Sequence, residues 1–473
     1  MKMSSGVKYR KLILPFLIGI VIWGMTPIRP TSISVAGWHI LAIFIATIIG
    51  CITRPMPIGA VAIVGFTITV LTKTVSTDVA LTGFGNATIW LIVMAFFISR
   101  GFIKTGLGRR IALNFASAFG KHTLGLAYSL IAVDLVLSPA MPSSTARAGG
   151  VVYPIIDALS NAFGSSPKQH TQRKIGSFLV FSEFHGNIIT SAMFLTSMAG
   201  NPLAQLLAKS QGIKITWMGW LMASIVPGIV SLTLIPYLIY KLYPPELKEM
   251  PDVKPWAQKQ LAEMGKISIQ EKLMSGIFIL ALALWTTESL TGIDATMTAF
   301  IALALILLTG VLSWDDVLHE TGAWNTFTWF SVLVMMADQL NQKGFIPWLS
   351  KTIAASLHGM NWMLVLTIAC LAYFYSHYLF ASATAHISAM YLAFLGIAIS
   401  SGVPGMLAAL MLGFFSNIFG STTHYGYGPA PVLFGSGYVT QNEWWRLNAI
   451  LGVVYIVIWL GLGTLWMKVI GFW

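Results

Sequence analysis

Apolar runs of roughly 20 residues recur along almost the whole chain, and no other feature narrows its fold so far. Each run is long enough to cross a bilayer as a helix. Of 473 residues, 56% are hydrophobic and 9% charged, a balance no soluble globular domain carries. The ~10-residue alternation of a transmembrane barrel is absent. The expected class is therefore an all-α polytopic membrane protein. Cys51 and Cys370 both sit inside apolar runs, so no disulfide framework is implied. A formal charge of +12 would point to nucleic acid in a soluble protein. Here the basic residues gather in short loops, which is a topology signal, so the expected partner is the lipid bilayer and not nucleic acid.

Spans are expected at 12–28, 36–53, 58–73 and 86–103. Lys2, Lys8, Arg10 and Lys11 precede the first; no small-residue cleavage site follows, so it reads as a retained span. A cytoplasmic N-terminus then places Arg54 inside, the 74–82 loop outside, and Arg100, Lys104, Arg109, Arg110 and Lys121 inside. The apolar run 123–137 breaks at Ser138-Pro139 and Pro142, resumes at 148–160, and is followed by Lys168, Arg173 and Lys174. With basic residues on both flanks, 122–160 reads as a re-entrant hairpin. Such a tip is tolerated at membrane depth only when buried in protein or lining a polar cavity. A span at 175–208 is interrupted by Thr196–Pro202, and another at 216–242 returns to the cytoplasm. The segment 243–272, with four prolines and five lysines, reads as a cytoplasmic linker carrying a surface helix at 256–265.

The hairpin tip Pro142-Ser143-Ser144-Thr145-Ala146-Arg147 is written twice. Ser143, Thr145 and Ala146 return as Ser382, Thr384 and Ala385, and a basic residue, Arg147 or His386, closes each copy. Thr82-Gly83, Asn86 and Trp90 return at the same spacing as Thr321-Gly322, Asn325 and Trp329, and Gly37, Ile40, Leu41 and Ala42 as Gly276, Ile279, Leu280 and Ala281. Spans follow at 273–289, 296–313 and 325–345, then a second hairpin at 361–399, an interrupted span at 404–440 containing Thr422–Pro429, and a last span at 445–470. The reading is an N-terminal span (1–33), a first repeat (34–242), the linker (243–272) and a second repeat (273–473), with about 11 transmembrane helices and two re-entrant hairpins. Five crossings per repeat make the second copy inverted, bringing the two tips near the midplane, the architecture of a secondary transporter. One loop sits awkwardly: 314–320 counts as cytoplasmic yet carries Asp315, Asp316 and Glu320 without Lys or Arg. Acidic residues weigh little in topology.

An Arg at the centre of a membrane helix costs about 2.5–3.5 kcal/mol on the lenient scale, so Arg147 implies a polar cavity or an anionic partner. Hydroxyls of the tips suit N-caps. Four helix ends at roughly +0.5 each, with Arg147 and a protonated His386, sum to about +3 to +4, a cradle for a small di- or tricarboxylate. Candidate substrate ligands are Ser143, Ser144, Thr145 and Arg147; Gly200 and Asn201; Ser382, Thr384 and His386; and Thr423, His424, Gly426 and Tyr427. His377 has no twin and reads as structural. Glu183 and His185, two apart, would pair or mark a proton path, but they fall on different helix faces, so pairing is discounted; Asp134, Asp338 and Glu183 read as cap or interface residues.

Lys104-Thr105-Gly106-Leu107, the paired tips and Thr423-His424-Tyr425-Gly426-Tyr427-Gly428-Pro429-Ala430-Pro431 together resemble the divalent anion/sodium symporter family, over the whole chain. The branch most resembled is that of the citrate, tartrate and 2-oxoglutarate/malate translocators. The resemblance implies a homodimer whose protomers each pair a scaffold with a transport domain moving as an elevator. Sodium-coupled members resemble Ser-Asn-Thr at both tips; Ser144 and Ala383 stand at the middle position here, so the Asn carbonyls that would ligate a hard cation are missing. With Arg147 and His386 beside them, the implied function is sodium-independent exchange of small dicarboxylates (2-oxoglutarate, malate, succinate) across the cytoplasmic membrane, without metal or cofactor. The alternative is a sodium- or proton-coupled di- or tricarboxylate symporter. A membrane enzyme is disfavoured, since no HExxH, aspartate-rich motif or Gly-rich phosphate loop is present. A channel lacks the long polar stripes it would need.

Overall fold

The computed structural model describes residues 7–357 and 359–473. Lys2, part of the N-terminal basic cluster, lies outside the described residues. Among the described residues the chain is helical, and β pairing is confined to the isolated bridge between His122 and Glu249. Nine helices among them are long and apolar enough to cross a bilayer. Two more apolar helices, Ile58–Leu71 and Ala295–Leu308, have 14 residues each. At 1.5 Å per residue these reach about 21 Å, short of a ~30 Å hydrocarbon core.

Helix starts follow the local code. Ser34 accepts from the Gly37 amide at 2.9 Å and caps Val35–Thr53. Capping boxes start Ile269–Thr286 (Ser268 with Glu271), Trp314–Leu318 (Ser313 with Asp316) and Gln441–Ile456 (Thr440 with Glu443). Val253–Met264 is a helix of the 243–272 segment.

The chain divides into two compact units. The first comprises Met1–Val93, Pro202–Ile215 and Thr321–Leu412. Its long helix Thr321–Gln342 packs on Val35–Thr53 and Ile58–Leu71. The 3-10 turn Thr82–Gly85 crosses the same helix at Gly83, where a Cβ would collide with the Ser331 carbonyl. Trp90 and Phe84 pack on Phe327 with ring centroids 4.8 and 5.5 Å away.

The second unit comprises Met94–Asn201, Thr216–Glu320 and Gly413–Trp473. At its centre Trp217–Leu242 packs along Gly176–Met193, whose every residue is buried. The 243–272 segment is tied down by backbone bonds: Met250 N–H donates to Lys121, Thr123 N–H to Lys248, and Glu246 N–H to Arg173. Arg110 forks onto Glu271 at 2.6 and 3.2 Å, and Lys104 bonds Asp316 at 2.6 Å. The acidic 314–320 segment is thus met by a lysine at the end of Ala87–Thr105.

Candidate functional site

Two helix breaks and one helix–break–helix tip come together within the second unit. Thr123–Leu137 ends in a short 3-10 turn, Ser138–Ala140, and the chain restarts as helix from Ser144. Ser143 Oγ accepts from the Ala146 amide at 3.1 Å, and the limb runs through a π segment, Ala146–Val152, into Tyr153–Ala162. The span from Gly176 breaks after Met193 and resumes as Gly200–Lys209. A third element, Gly405–Ile418, passes through Phe419–Thr422 before an irregular stretch that ends at Ala430.

Breaking a helix orphans backbone carbonyls, and these are taken up by side chains. Trp220 Nε1 donates to Ala192 O at 2.9 Å and Ser224 Oγ to Met193 O at 2.7 Å. Asn201 Nδ2 donates to Ser191 O and Phe194 O at 2.7 and 2.9 Å, while its carbonyl oxygen accepts from Asn417 at 2.7 Å. Asn201 is therefore spent on holding the break. Gly200 begins the restarted helix, its amide 3.0 Å from Met198 Sδ.

Arg147 is fully buried. Its Nε bonds both Asp134 oxygens at 3.2 and 3.3 Å, one terminal nitrogen donates to the Met141 and Ser197 carbonyls, and the other to Ser191 Oγ at 2.7 Å. Asp134, also fully buried, accepts in addition from Asn187 Nδ2 at 2.9 Å and from Thr190 Oγ1. The expectation of a cap or interface role for Asp134 is corrected. It is the counter-ion of Arg147, so the guanidinium adds no net charge to the cradle counted above. Sequence alone hid the pair, because 13 residues and a chain reversal separate its members. The reason is energetic: a lone guanidinium at that depth is prohibitive. Asn187, Thr190 and Ser191 were also missed; their one signal is polar spacing on a single helix.

Tyr427 OH donates to Ser191 Oγ at 2.7 Å and to Asn187 Oδ1 at 3.1 Å, pinning the irregular stretch to the same helix. Thr423 Oγ1 accepts from Gly426 N–H at 2.8 Å, a local turn. His424 Nδ1 accepts from Trp445 Nε1 at 2.9 Å, and the imidazole packs on Phe434. A Cβ on the exposed Gly428 would stand 2.5 Å from Thr145 Oγ1 and 3.4 Å from Ser144 Oγ, so glycine lets its backbone lie against the tip. Half-exposed Ser143 and Thr145 beside Gly428 give this unit an open polar patch, while Ser144 and Arg147 lie beneath.

The other tip belongs to the first unit. Ser382 Oγ accepts from the Ala385 amide at 3.4 Å and lies 3.0 Å from Thr384 Oγ1; both side chains are half-buried. His386 is buried, stacked on Phe380 and Tyr373 with centroids 4.4 and 4.6 Å away. Its Nε2 is 3.0 Å from Ser376 Oγ, and its Nδ1 is 3.1 Å from His377 Nδ1. One imidazole must donate and the other accept, so His377, read as structural, is a hydrogen-bond partner of His386. The limb then enters a π segment, Ile387–Tyr391. Among the described residues no group of three or more His, Cys, Asp or Glu could hold a metal ion.

Residues 7–473 match the family model described as the sodium:sulfate symporter transmembrane region. YflS of Bacillus subtilis (strain 168), whose name marks it as a candidate malate transporter, is 54% identical over 471 residues, 99% of this chain and 98% of its own. The chloroplastic dicarboxylate transporter 1 of Spinacia oleracea is 44% identical over 472 residues, 99% of this chain and 83% of its own. Of solved structures, MtrF of Neisseria gonorrhoeae, from a class of antimetabolite efflux pumps, aligns with a TM-score of 0.58 at 13% identity, covering 85% of this chain and 84% of its own. The YdaH transporter of Alcanivorax borkumensis aligns at 0.54 and 12% identity, covering 85% and 88%. At those identities the likeness is one of fold alone. Matched from residue 7 to its last residue, this chain belongs to the sodium:sulfate symporter family of multi-pass membrane transporters.

Proposed function

We propose that this chain exchanges small dicarboxylates, with malate, 2-oxoglutarate and succinate as the substrate class, across the cytoplasmic membrane and without sodium. One observation carries the reading: the Arg147 guanidinium donates to the Met141 and Ser197 carbonyls at the tip and the adjacent break. Carbonyl oxygens from a hairpin tip and a helix break are the ligands a hard cation would take. A covalently attached cation that holds them needs no ion from solution. The names of the two relatives supply the substrate class.

Because Asp134 neutralises Arg147, the barrier to an empty carrier does not rest on net charge. It rests on desolvation. The hydroxyls of Ser143 and Thr145 and the backbone at Gly428 are satisfied by a bound carboxylate, and otherwise must lose water, at roughly 1–3 kcal/mol for each unpaired group. Loaded protomers therefore move and empty ones do not, which is exchange. The same reading takes the carrier as a homodimer working as an elevator, with re-entrant tips and a cytoplasmic N-terminus. The Lys104–Asp316 pair and the bonds from 246–250 to Lys121 and Arg173 support that topology, since all these loops fall on the cytoplasmic side of the count.

The test is labelled 2-oxoglutarate uptake into proteoliposomes holding malate, succinate or no dicarboxylate, with sodium or potassium outside. Uptake that needs internal dicarboxylate and ignores sodium is expected. Sodium-driven uptake into vesicles without dicarboxylate sinks the reading.

A further inference from the structure

Glu183 lies in the helix Gly176–Met193 with 1% of its surface exposed, and neither carboxylate oxygen has a hydrogen-bond partner. No other acidic side chain among the described residues combines such burial with two unpartnered oxygens. A bare carboxylate in that setting costs several kcal/mol, a cost that a bound proton removes.

Its position ties it to the site. Glu183 precedes Asn187 by four residues, one turn of the same helix, so the two share a face. Asn187 in turn donates to Asp134 at 2.9 Å and to the Ser144 carbonyl of the tip at 3.4 Å. Of the elements packed on this helix, Thr123–Leu137 presents Asp134 and the π segment presents Arg147, the two charges that act on Glu183. Tyr427, from the irregular stretch before Ala430, gives its hydroxyl to Asn187 Oδ1 and Ser191 Oγ of this same helix and is neutral as a donor; the other titratable groups are engaged elsewhere. Tyr128 bonds the Thr233 carbonyl, Lys241 lies over the Tyr237 ring, Tyr240 packs on Phe178, and Asp157 takes the Tyr438 hydroxyl, with Tyr153 on its own helix. Phe419–Thr422 and Ala430–Gly435 bring none. His185, next but one, faces away to Tyr455 and Asn448, each at 3.0 Å. The Arg147–Asp134 pair is already neutral, so it has no spare positive charge for a second carboxylate.

We propose that Glu183 is a proton-binding site linked to the substrate site, so that a dicarboxylate dianion binds together with one proton taken from solvent. Two further negative charges at the tip and an ionised Glu183 exclude one another; a protonated Glu183 does not. By reciprocity, loading with the dianion favours the proton as much as the proton favours the dianion. The proton leaves when the substrate leaves, and each exchanged dicarboxylate carries one across. The proposal rests on the dicarboxylate reading above.

Isothermal titration of the purified full-length protein with malate tests it, from neutral pH upward, where malate is a dianion throughout, in buffers of different ionisation enthalpy. Wild-type affinity is expected to fall by about tenfold per pH unit once Glu183 ionises, with uptake approaching one proton per protomer. Glu183→Gln, of the same shape and always neutral, should bind malate with pH-independent affinity and take up none; Glu183→Asp should restore the slope. Wild-type binding without proton uptake at any pH overturns the proposal whether or not the variants fold, as does an unchanged slope in Glu183→Gln. Absence of malate, succinate and 2-oxoglutarate binding to wild type overturns the dicarboxylate reading, and this proposal with it.

Discussion

Asp134 shows how one side chain redefines another. In this protein a guanidinium with no exposed surface is met by a carboxylate 13 residues earlier, on the other limb of the tip. Removing one partner strands the other. Asp134→Asn should lower stability by about 3–5 kcal/mol, read as a large drop in the melting temperature of the detergent-solubilised protein. Replacing both, as Asp134→Leu with Arg147→Met, should recover most of that loss. The double variant also separates structure from transport: a well-folded protein that has lost exchange ties Arg147 to the cycle, whereas one that still exchanges frees it from any such role. Tyr427→Phe removes two hydrogen bonds from the same network, at Ser191 and Asn187. A loss of about 1–2 kcal/mol is expected by the same thermal measurement, on the order of 1 kcal/mol per bond.

Among the elements, the two tips repeat more than sequence. Ser143 and Ser382 each accept the amide three residues on, and each restarted limb passes into a π segment, Ala146–Val152 or Ile387–Tyr391. Shared local code has produced similar local structure, which is why these positions were legible from the chain alone. The Asn86 motif diverges. Asn86 caps its helix through Thr88 N–H at 2.9 Å, but its twin Asn325 lies inside Thr321–Gln342, with its Oδ1 2.7 Å from where a Cβ on Gly59 would stand. The crossing of Thr321–Gln342 at Gly83 gives a controlled test. Gly83→Ala drives a methyl into the Ser331 carbonyl and should cost about 1–3 kcal/mol. Gly85→Ala, with open space where its Cβ would go, should leave the melting temperature within error of wild type.

On the scale of the whole molecule, the linker and its contacts decide how the chain is read across a bilayer. Both native cysteines are buried, so a single surface thiol can be read cleanly. Gln258→Cys, on the exposed face of Val253–Met264, should react with a membrane-impermeant maleimide in inside-out vesicles and not in right-side-out cells. Labelling from outside would reverse the assigned topology. Lys104, in the last turn of Ala87–Thr105, joins Asp316 of the short helix Trp314–Leu318, and the lysine hydrogen bond, helped by Ser313, holds the Asp316 carboxyl well below the usual carboxylate range. A carboxyl lowered in the folded state stabilises above its unfolded value, about 3.9, and that contribution fades as pH falls from there toward the folded value. Melting temperatures below about pH 4 should therefore fall less steeply in Lys104→Met than in wild type.

Apolar run length and charge placement determined the class of this protein, because a helix that must satisfy its own backbone in lipid leaves little choice of element. Proline and glycine marked where those helices stop, as at Ser138-Pro139 and around Gly200 and Gly426, since backbone constraint is local. The repeat spacing joined the two tips on paper for the same reason. What needed the tertiary structure was every relation between charges. Asp134 beneath Arg147, His377 against His386, and Glu183 without a partner are set by which helix faces meet. Ion pairing is decided by distance in space, which local sequence preference does not encode.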